Sequence, residues 1–148
     1  MVTEVVLTAV IAGQTAAIIK MGYDRTYGCL TRASFDMLYP ILKLAGYKFI
    51  AGDVDNFKSH NSTHGHEAVN AMVKNSIRRF FSRRGLGDLV FRVYSGDEFI
   101  VATRGNVHIV AERLVKAFSA QGMNLTTDVI TDNLDTSMVK ILAKKKAS

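Results

Sequence analysis

Hydrophobic positions along this chain recur at helical spacing in some stretches and gather into short runs of β-type residues in others. Val69, Met72, Val73, Ile77 and Phe80 recur at helical spacing and predict a helix from about Glu67 to Ser82. Val110, Leu114 and Phe118 do the same between Val107 and Ser119, and Gly122 stops that helix. Phe35, Leu38, Leu42 and Leu44 give an apolar side to a helix that opens at Ser34 and ends at Gly46. Pro40 falls within its first turns or interrupts it, because proline cannot donate to the helical ladder. A last helix is expected over Leu134 to Lys145, with Asp132 or Asn133 as cap.

The short β-type runs appear in four places. Tyr47 to Val54 is one strand and Leu125 to Ile130 another. Val90-Phe91-Arg92-Val93-Tyr94 and Ile100-Val101-Ala102 flank the tight turn Ser95-Gly96-Asp97-Glu98-Phe99, which reads as a β-hairpin. Gly22 to Thr31 reads as turn-like, and Phe57 to Gly65 as a short polar segment. The predicted order is α-α-β-α-β-β-α-β-α. One mixed sheet covered by helices packs such a series, an α/β (α+β) class compatible with a ferredoxin-like or palm-type sheet.

The first of those helices, Val5 to Ile19, is apolar on broad faces through Val5, Val6, Ala9, Val10, Ala16, Ala17 and Ile19. It is short of the roughly 20 residues a spanning helix needs, and it lacks the basic start and cleavage site of a signal peptide. We expect it to pack on the domain or on a second subunit, with a membrane anchor as the alternative. Residues 1–22 are therefore set apart as a packing or dimerisation helix, and 23–148 as one domain.

At 148 residues, 48% of them apolar and one a proline, the chain can bury a core without staples. A single cysteine, Cys29, forbids an internal disulfide and fits a reducing cytoplasm. The net charge of +6 suits a polyanionic partner: a nucleoside triphosphate, nucleic acid or a membrane surface. Solvated faces and a basic tail account for the same clusters, Arg78-Arg79, Arg83-Arg84 and Lys144-Lys145-Lys146.

Two acid pairs change the picture. Asp97-Glu98 sits at the hairpin tip, and Asp53-Val54-Asp55 ends the preceding strand. Carboxylates on two neighbouring strand ends can converge on divalent cations, and paired metals suit phosphoryl transfer. His60, His64 and His66 are spaced for zinc, yet no cysteine or fourth ligand stands near them.

Together these segments resemble the GGDEF family, the diguanylate cyclases. Asp24-Arg25-Thr26-Tyr27-Gly28-Cys29-Leu30-Thr31-Arg32-Ala33-Ser34-Phe35 resembles the family's opening motif D-x-L-T-G-L-x-N-R-x-x-F. Asp53 to Lys58 resembles D-x-D-x-F-K; Asn61 followed by Gly65-His66 resembles N-D-x-x-G-H; Ser95 to Phe99 resembles the signature itself. The resemblance implies a palm-like domain that condenses two nucleoside triphosphates, GTP in the family, into a cyclic dinucleotide such as c-di-GMP. It implies Mg²⁺ or Mn²⁺ on Asp53, the Val54 carbonyl, Asp97 and Glu98, with Asp53, Asp97 and Glu98 catalytic. Nucleotide contacts would come from Asn56, Phe57, Lys58, Asn61, Asn70, Ser95 and Gly96, and from Lys140 or Lys144 on the last helix. A homodimer is implied, because each half-site holds one nucleotide; a nucleic-acid polymer is not.

Three departures bear on function. Ser95 replaces the signature's first glycine. Asn70 stands where an aspartate would contact guanine; an amide accepts one hydrogen bond from guanine's N1 and N2 edge where a carboxylate accepts two, which makes ATP a plausible substrate. The product-inhibition motif R-x-x-D leaves Asp88 at its acid position and Gly85 at its arginine position. These departures keep two other functions in view: a non-catalytic module that binds nucleotide or protein, and a minimal cyclic-oligonucleotide synthase related to the palm of CRISPR-associated polymerases in antiviral signalling.

Overall fold

The computed structural model describes residues 3–12, 23–24, 26–82, 87–93 and 97–130. Within them, α1 (3–12) is followed by β1 (Tyr23–Asp24), β2 (Cys29–Leu30), α2 (Arg32–Leu44), β3 (Lys48–Val54) and α3 (Phe57–His64). Then come α4 (His66–Ser82), β4 (Leu89–Arg92), β5 (Glu98–Thr103), α5 (Val107–Ser119) and β6 (Leu125–Ile130). The six strands form one sheet in the order β1-β2-β4-β5-β3-β6. β2 runs parallel to β4 and every other pairing is antiparallel, so the sheet is mixed.

Alternation along the strands divides the core. Ile50 and Val54 of β3, with Phe99 and Val101 of β5, meet Val69, Val73, Ile77 and Phe80 of α4 and Val110, Leu114 and Phe118 of α5. Phe49, Ala51, Ile100 and Ala102 face the other way, onto Phe35, Leu38 and Leu42 of α2. Side chains two apart on a strand share a face. Asp53 therefore lies on the α2 side, in step with Ala51, and Glu98 lies there in step with Ile100. Gly52 lies beneath the side chains of Leu125 of β6 and Leu114 of α5, with room for ordinary contact at the position of a Cβ, 3.4 Å and 3.7 Å from their Cδ2 atoms.

Several expectations need correction. α2 starts two residues earlier than Ser34, because Thr31 caps it: its side chain accepts from Ser34 N. Pro40 sits inside the helix rather than at its start, on an exposed side. Leu44 is 83% exposed and takes no part in the core. Phe57 to His64 is a helix, not a polar loop; it buries no residue, so it leaves no apolar periodicity to read. The turn-like stretch holds the two short strands β1 and β2.

α1 does not bury its apolar side on the domain. Val5, Val6, Leu7 and Val10 are 67%, 55%, 49% and 48% exposed. The rest of the expected N-terminal helix, the last helix and Tyr94 lie outside the described residues. No helix of the described residues is long and apolar enough to cross a membrane.

Candidate active site

The C-terminal end of β3 meets the first residue of β5. Their antiparallel register sets Asp53 opposite Glu98, and Val54 N donates to the Asp97 carbonyl at 2.9 Å. One carboxylate oxygen from each of Asp53, Asp97 and Glu98 lies within 4.8 Å of the others. Asp53 is 2% exposed, whereas Asp97 and Glu98 are half-buried at the rim. Three hard oxygen donors with no nitrogen or sulfur among them fit Mg²⁺ or Mn²⁺ rather than a softer ion. Carboxylates this close repel one another, and a bound cation, a shared proton or donors around them offset that repulsion. The acids predicted to converge are thus brought together from positions more than forty residues apart in sequence.

Asp55 takes a different post. It accepts a hydrogen bond from Thr126 Oγ1 at 2.7 Å, and its N–H donates to the Asn124 carbonyl at 2.8 Å, which pins the end of β3 to β6. Asn56 then turns with φ 54°, in the left-handed region that asparagine tolerates, and starts α3 without a side-chain cap. The first-turn amides of a helix have no intrahelical partner, so this uncapped start leaves N–H groups of Phe57 and Lys58 for other acceptors. Lys58 is exposed beside them.

Asn61 is on α3, and its Oδ1 is buried with no hydrogen-bond partner. Asn70 is half-buried on α4 beside the buried Val69. His60 and His64 stack at 6.2 Å on exposed α3, and His66 opens α4. Among the described residues the only grouping of three or more metal-type ligands is Asp53, Asp97 and Glu98, so the histidines do not form a zinc site there. Ser95, Gly96, Lys140 and Lys144 lie outside the described residues.

At the opposite end of β5, Asp88 accepts from Thr103 Oγ1 at 2.8 Å and pairs with Arg113 Nη2 at 3.3 Å. The acid of the expected inhibition motif is thus tied to its own domain.

A family model described as "Diguanylate cyclase, GGDEF domain" matches residues 43–144. The chain belongs to the GGDEF family. It is 35% identical over 78 residues to diguanylate cyclase DgcS of Shewanella oneidensis, a match covering 51% of this chain and 26% of that one. The chain thus spans about a quarter of that relative's length. The fold is similar to diguanylate cyclase SiaD of Pseudomonas aeruginosa, solved with its activator SiaC. The TM-score is 0.69 at 17% identity, covering 99% of this chain and 66% of that one. It is similar also to the GGDEF domain of DgcB from Caulobacter crescentus, solved with c-di-GMP. There the TM-score is 0.65 at 17% identity, covering 86% and 90% of the two chains. The mixed sheet with its helices is therefore the palm-type fold of GGDEF domains.

Sequence reasoning passed over Tyr27. It is buried, with the Arg92 guanidinium 4.7 Å from its ring centre. Its position in the opening motif was visible, but its partners come from β4 and β5, and no local spacing points to them.

Proposed function

We propose that this domain condenses two nucleoside triphosphates into a cyclic dinucleotide such as c-di-GMP, forming two 3′,5′-phosphodiester bonds and releasing two pyrophosphates. The observation that carries this reading is the convergence of the Asp53, Asp97 and Glu98 carboxylates within 4.8 Å on adjoining strand ends. Asp53, Asp97, Glu98 and the Val54 carbonyl would hold Mg²⁺ or Mn²⁺. Such cations neutralise the triphosphate and ease deprotonation of the attacking 3′-hydroxyl. Glu98 either contributes a ligand oxygen or takes the 3′-hydroxyl proton on its carboxylate.

The uncapped start of α3 at Asn56, Phe57 and Lys58 supplies N–H donors and a positive charge for the β- and γ-phosphates. Ser95 and Gly96 would approach the nucleotide from the signature turn, and Lys140 or Lys144 would add charge from the last helix. The buried, unpartnered Asn61 Oδ1 suits an N–H of the base edge. Asn70, an amide where the family motif has an acid, favours use of ATP beside GTP. Two half-sites must face each other, so the active form is a homodimer, and the uncovered Val5, Val6, Leu7 and Val10 are a fitting contact between copies. Residues 1–22 then serve that contact and 23–148 the chemistry.

The test is incubation of pure protein with GTP, ATP and Mn²⁺, with mass spectrometry of the products and Asp97→Ala as control. Cyclic dinucleotide from wild type alone supports the cyclase. No product from a folded dimer would favour the non-catalytic module to which Ser95 and Asn70 point.

A further inference from the structure

Tyr27 occupies the turn between β1 and β2, where the opening motif of the family carries threonine. It is 4% exposed. Its ring meets Phe99 edge-on, with centroids 6.1 Å apart and planes at 84°. The guanidinium of Arg92 lies over the same ring, 4.7 Å from its centre. Arg92 Nη1 also donates to Asp24 Oδ2 at 2.8 Å. Asp24 Oδ1 in turn accepts from Thr26 N at 2.9 Å and from Tyr27 N at 3.4 Å. Ring, guanidinium and carboxylate thus close a loop that ties the β1–β2 turn to β4.

That loop bears on the acids. Arg92 and Phe99 are register neighbours across β4 and β5, and Phe99 directly follows Glu98. Val93 N donates to the Glu98 carbonyl at 3.1 Å. Tyr27 therefore touches both strands of the hairpin within two residues of Asp97. Burial foremost pushes its hydroxyl above the ordinary value; Arg92 opposes this, while Asp24, Cys29 and Asp97 add to it. The phenol stays neutral, so the ring acts by shape and by its face toward Arg92.

We propose that Tyr27 is a positioning residue for the acid turn: wedged between the Arg92 guanidinium and the edge of Phe99, its ring fixes where β5 presents Asp97 and Glu98 to a cation. This rests on the proposed use of those carboxylates as cation ligands. Residues that orient a metal ligand from behind commonly change affinity by about 10–100-fold when removed.

The experiment compares wild type, Tyr27→Leu, Tyr27→Phe and Arg92→Lys in the full chain. Mn²⁺ affinity is read by electron paramagnetic resonance, and hydrogen exchange of the amides of residues 97–100 is read in the metal-free protein. Tyr27→Phe keeps the ring and should match wild type. Tyr27→Leu should weaken Mn²⁺ binding about tenfold and speed exchange at residues 97–100 by a similar factor, while circular dichroism stays folded. Arg92→Lys keeps the charge, loses the planar contact, and should move both readouts in the same direction by less. A merely structural ring would lower the melting temperature, speed exchange of the α5 amides as much as that of residues 97–100, and leave Mn²⁺ binding of the folded protein unchanged, which overturns the proposal. If Tyr27→Leu does not fold, unchanged readouts in Arg92→Lys overturn it. If wild type binds no Mn²⁺, the cation reading of the acids fails by itself; exchange at residues 97–100 that rises no more than in α5 still overturns the bracing, and a larger rise there still supports it.

Discussion

Replacing Asp53 with asparagine should stabilise the metal-free fold and abolish its response to Mg²⁺. Asn keeps the size of Asp53 and removes a charge that is 2% exposed and has two other carboxylates within 4.8 Å. At an effective dielectric of about 20, each like-charge pair at that separation repels by about 3 kcal/mol before screening. Water and salt reach the half-buried Asp97 and Glu98, and the amide forfeits part of the hydrogen bonding of the acid. We expect about 1–2 kcal/mol to survive. For a chain of this length that raises the metal-free melting temperature by about 3–6 °C.

Mg²⁺ at tenfold excess over its dissociation constant should stabilise wild type by about 1.4 kcal/mol, and Asp53→Asn by almost nothing. Differential scanning fluorimetry in EDTA and in a Mg²⁺ series reads both effects, and product formation from GTP should fall by at least about a hundredfold in the same variant. A variant that melts below wild type in EDTA, yet responds to Mg²⁺ as wild type does, would refute the reasoning. The acids would then be bound by partners that reward their charge, not crowded in wait for a cation.

Four further outcomes follow from particular residues. Burial pushes the Cys29 thiol to about 12, with Asp24 adding and Arg92 opposing, so native protein at pH 8 should resist iodoacetamide and react once denatured. The unfolded thiol ionises first as pH rises past its ordinary value near 9, so this group's contribution to stability should fall between pH 9 and about 12, checked by urea melts against Cys29→Ala. Asp88→Ala leaves Thr103 Oγ1 and Arg113 Nη2 without their acceptor and should cost about 1–3 kcal/mol by urea denaturation, without changing which nucleotide is used. Asn70→Asp should shift the product mixture from equal ATP and GTP toward guanine by about tenfold, read by mass spectrometry; no change would mean that Asn70 does not face the base.

Much of the fold was legible because its elements announce themselves locally. α5 and β6 occupy the ranges read from the sequence: Val110, Leu114 and Phe118 recur at helical spacing in α5, and β6 is a short stretch with β-branched residues that follows the turn at Gly122. The convergence of the acids was legible because both pairs stand at strand ends and the segments that carry them resemble the motifs of one family. What periodicity missed was either polar or non-local. α3 has no buried residue, so its helix carries no stripe. Leu44, expected on the apolar side of α2, stands two residues past Leu42, about 200° round the helix, and so falls on the solvent side, away from Phe35, Leu38 and Leu42. The Asp24–Arg92 pair spans 68 positions, and Tyr27 gains its meaning only when β4 and β5 arrive beside it.

The junction of β3 with α3 organises the two ends of the proposed nucleotide site separately. On one side β3 stops at Val54, held by the Asp97 carbonyl, and Asp53 faces Glu98. On the other, Asp55 is pinned to Thr126 and Asn124, so Asn56 must turn sharply and α3 begins at once, carrying Lys58 and Asn61. The cation end thus depends on strand pairing, which the departures from the family pattern leave intact. Asn70 lies on α4, away from that pairing, and on the proposed reading bears on the base end. Asn70→Asp should therefore move the ratio of products from ATP and GTP and leave the Mn²⁺ affinity of the acids unchanged, because sites that share no partner act independently; a changed Mn²⁺ affinity would show that the two ends are coupled.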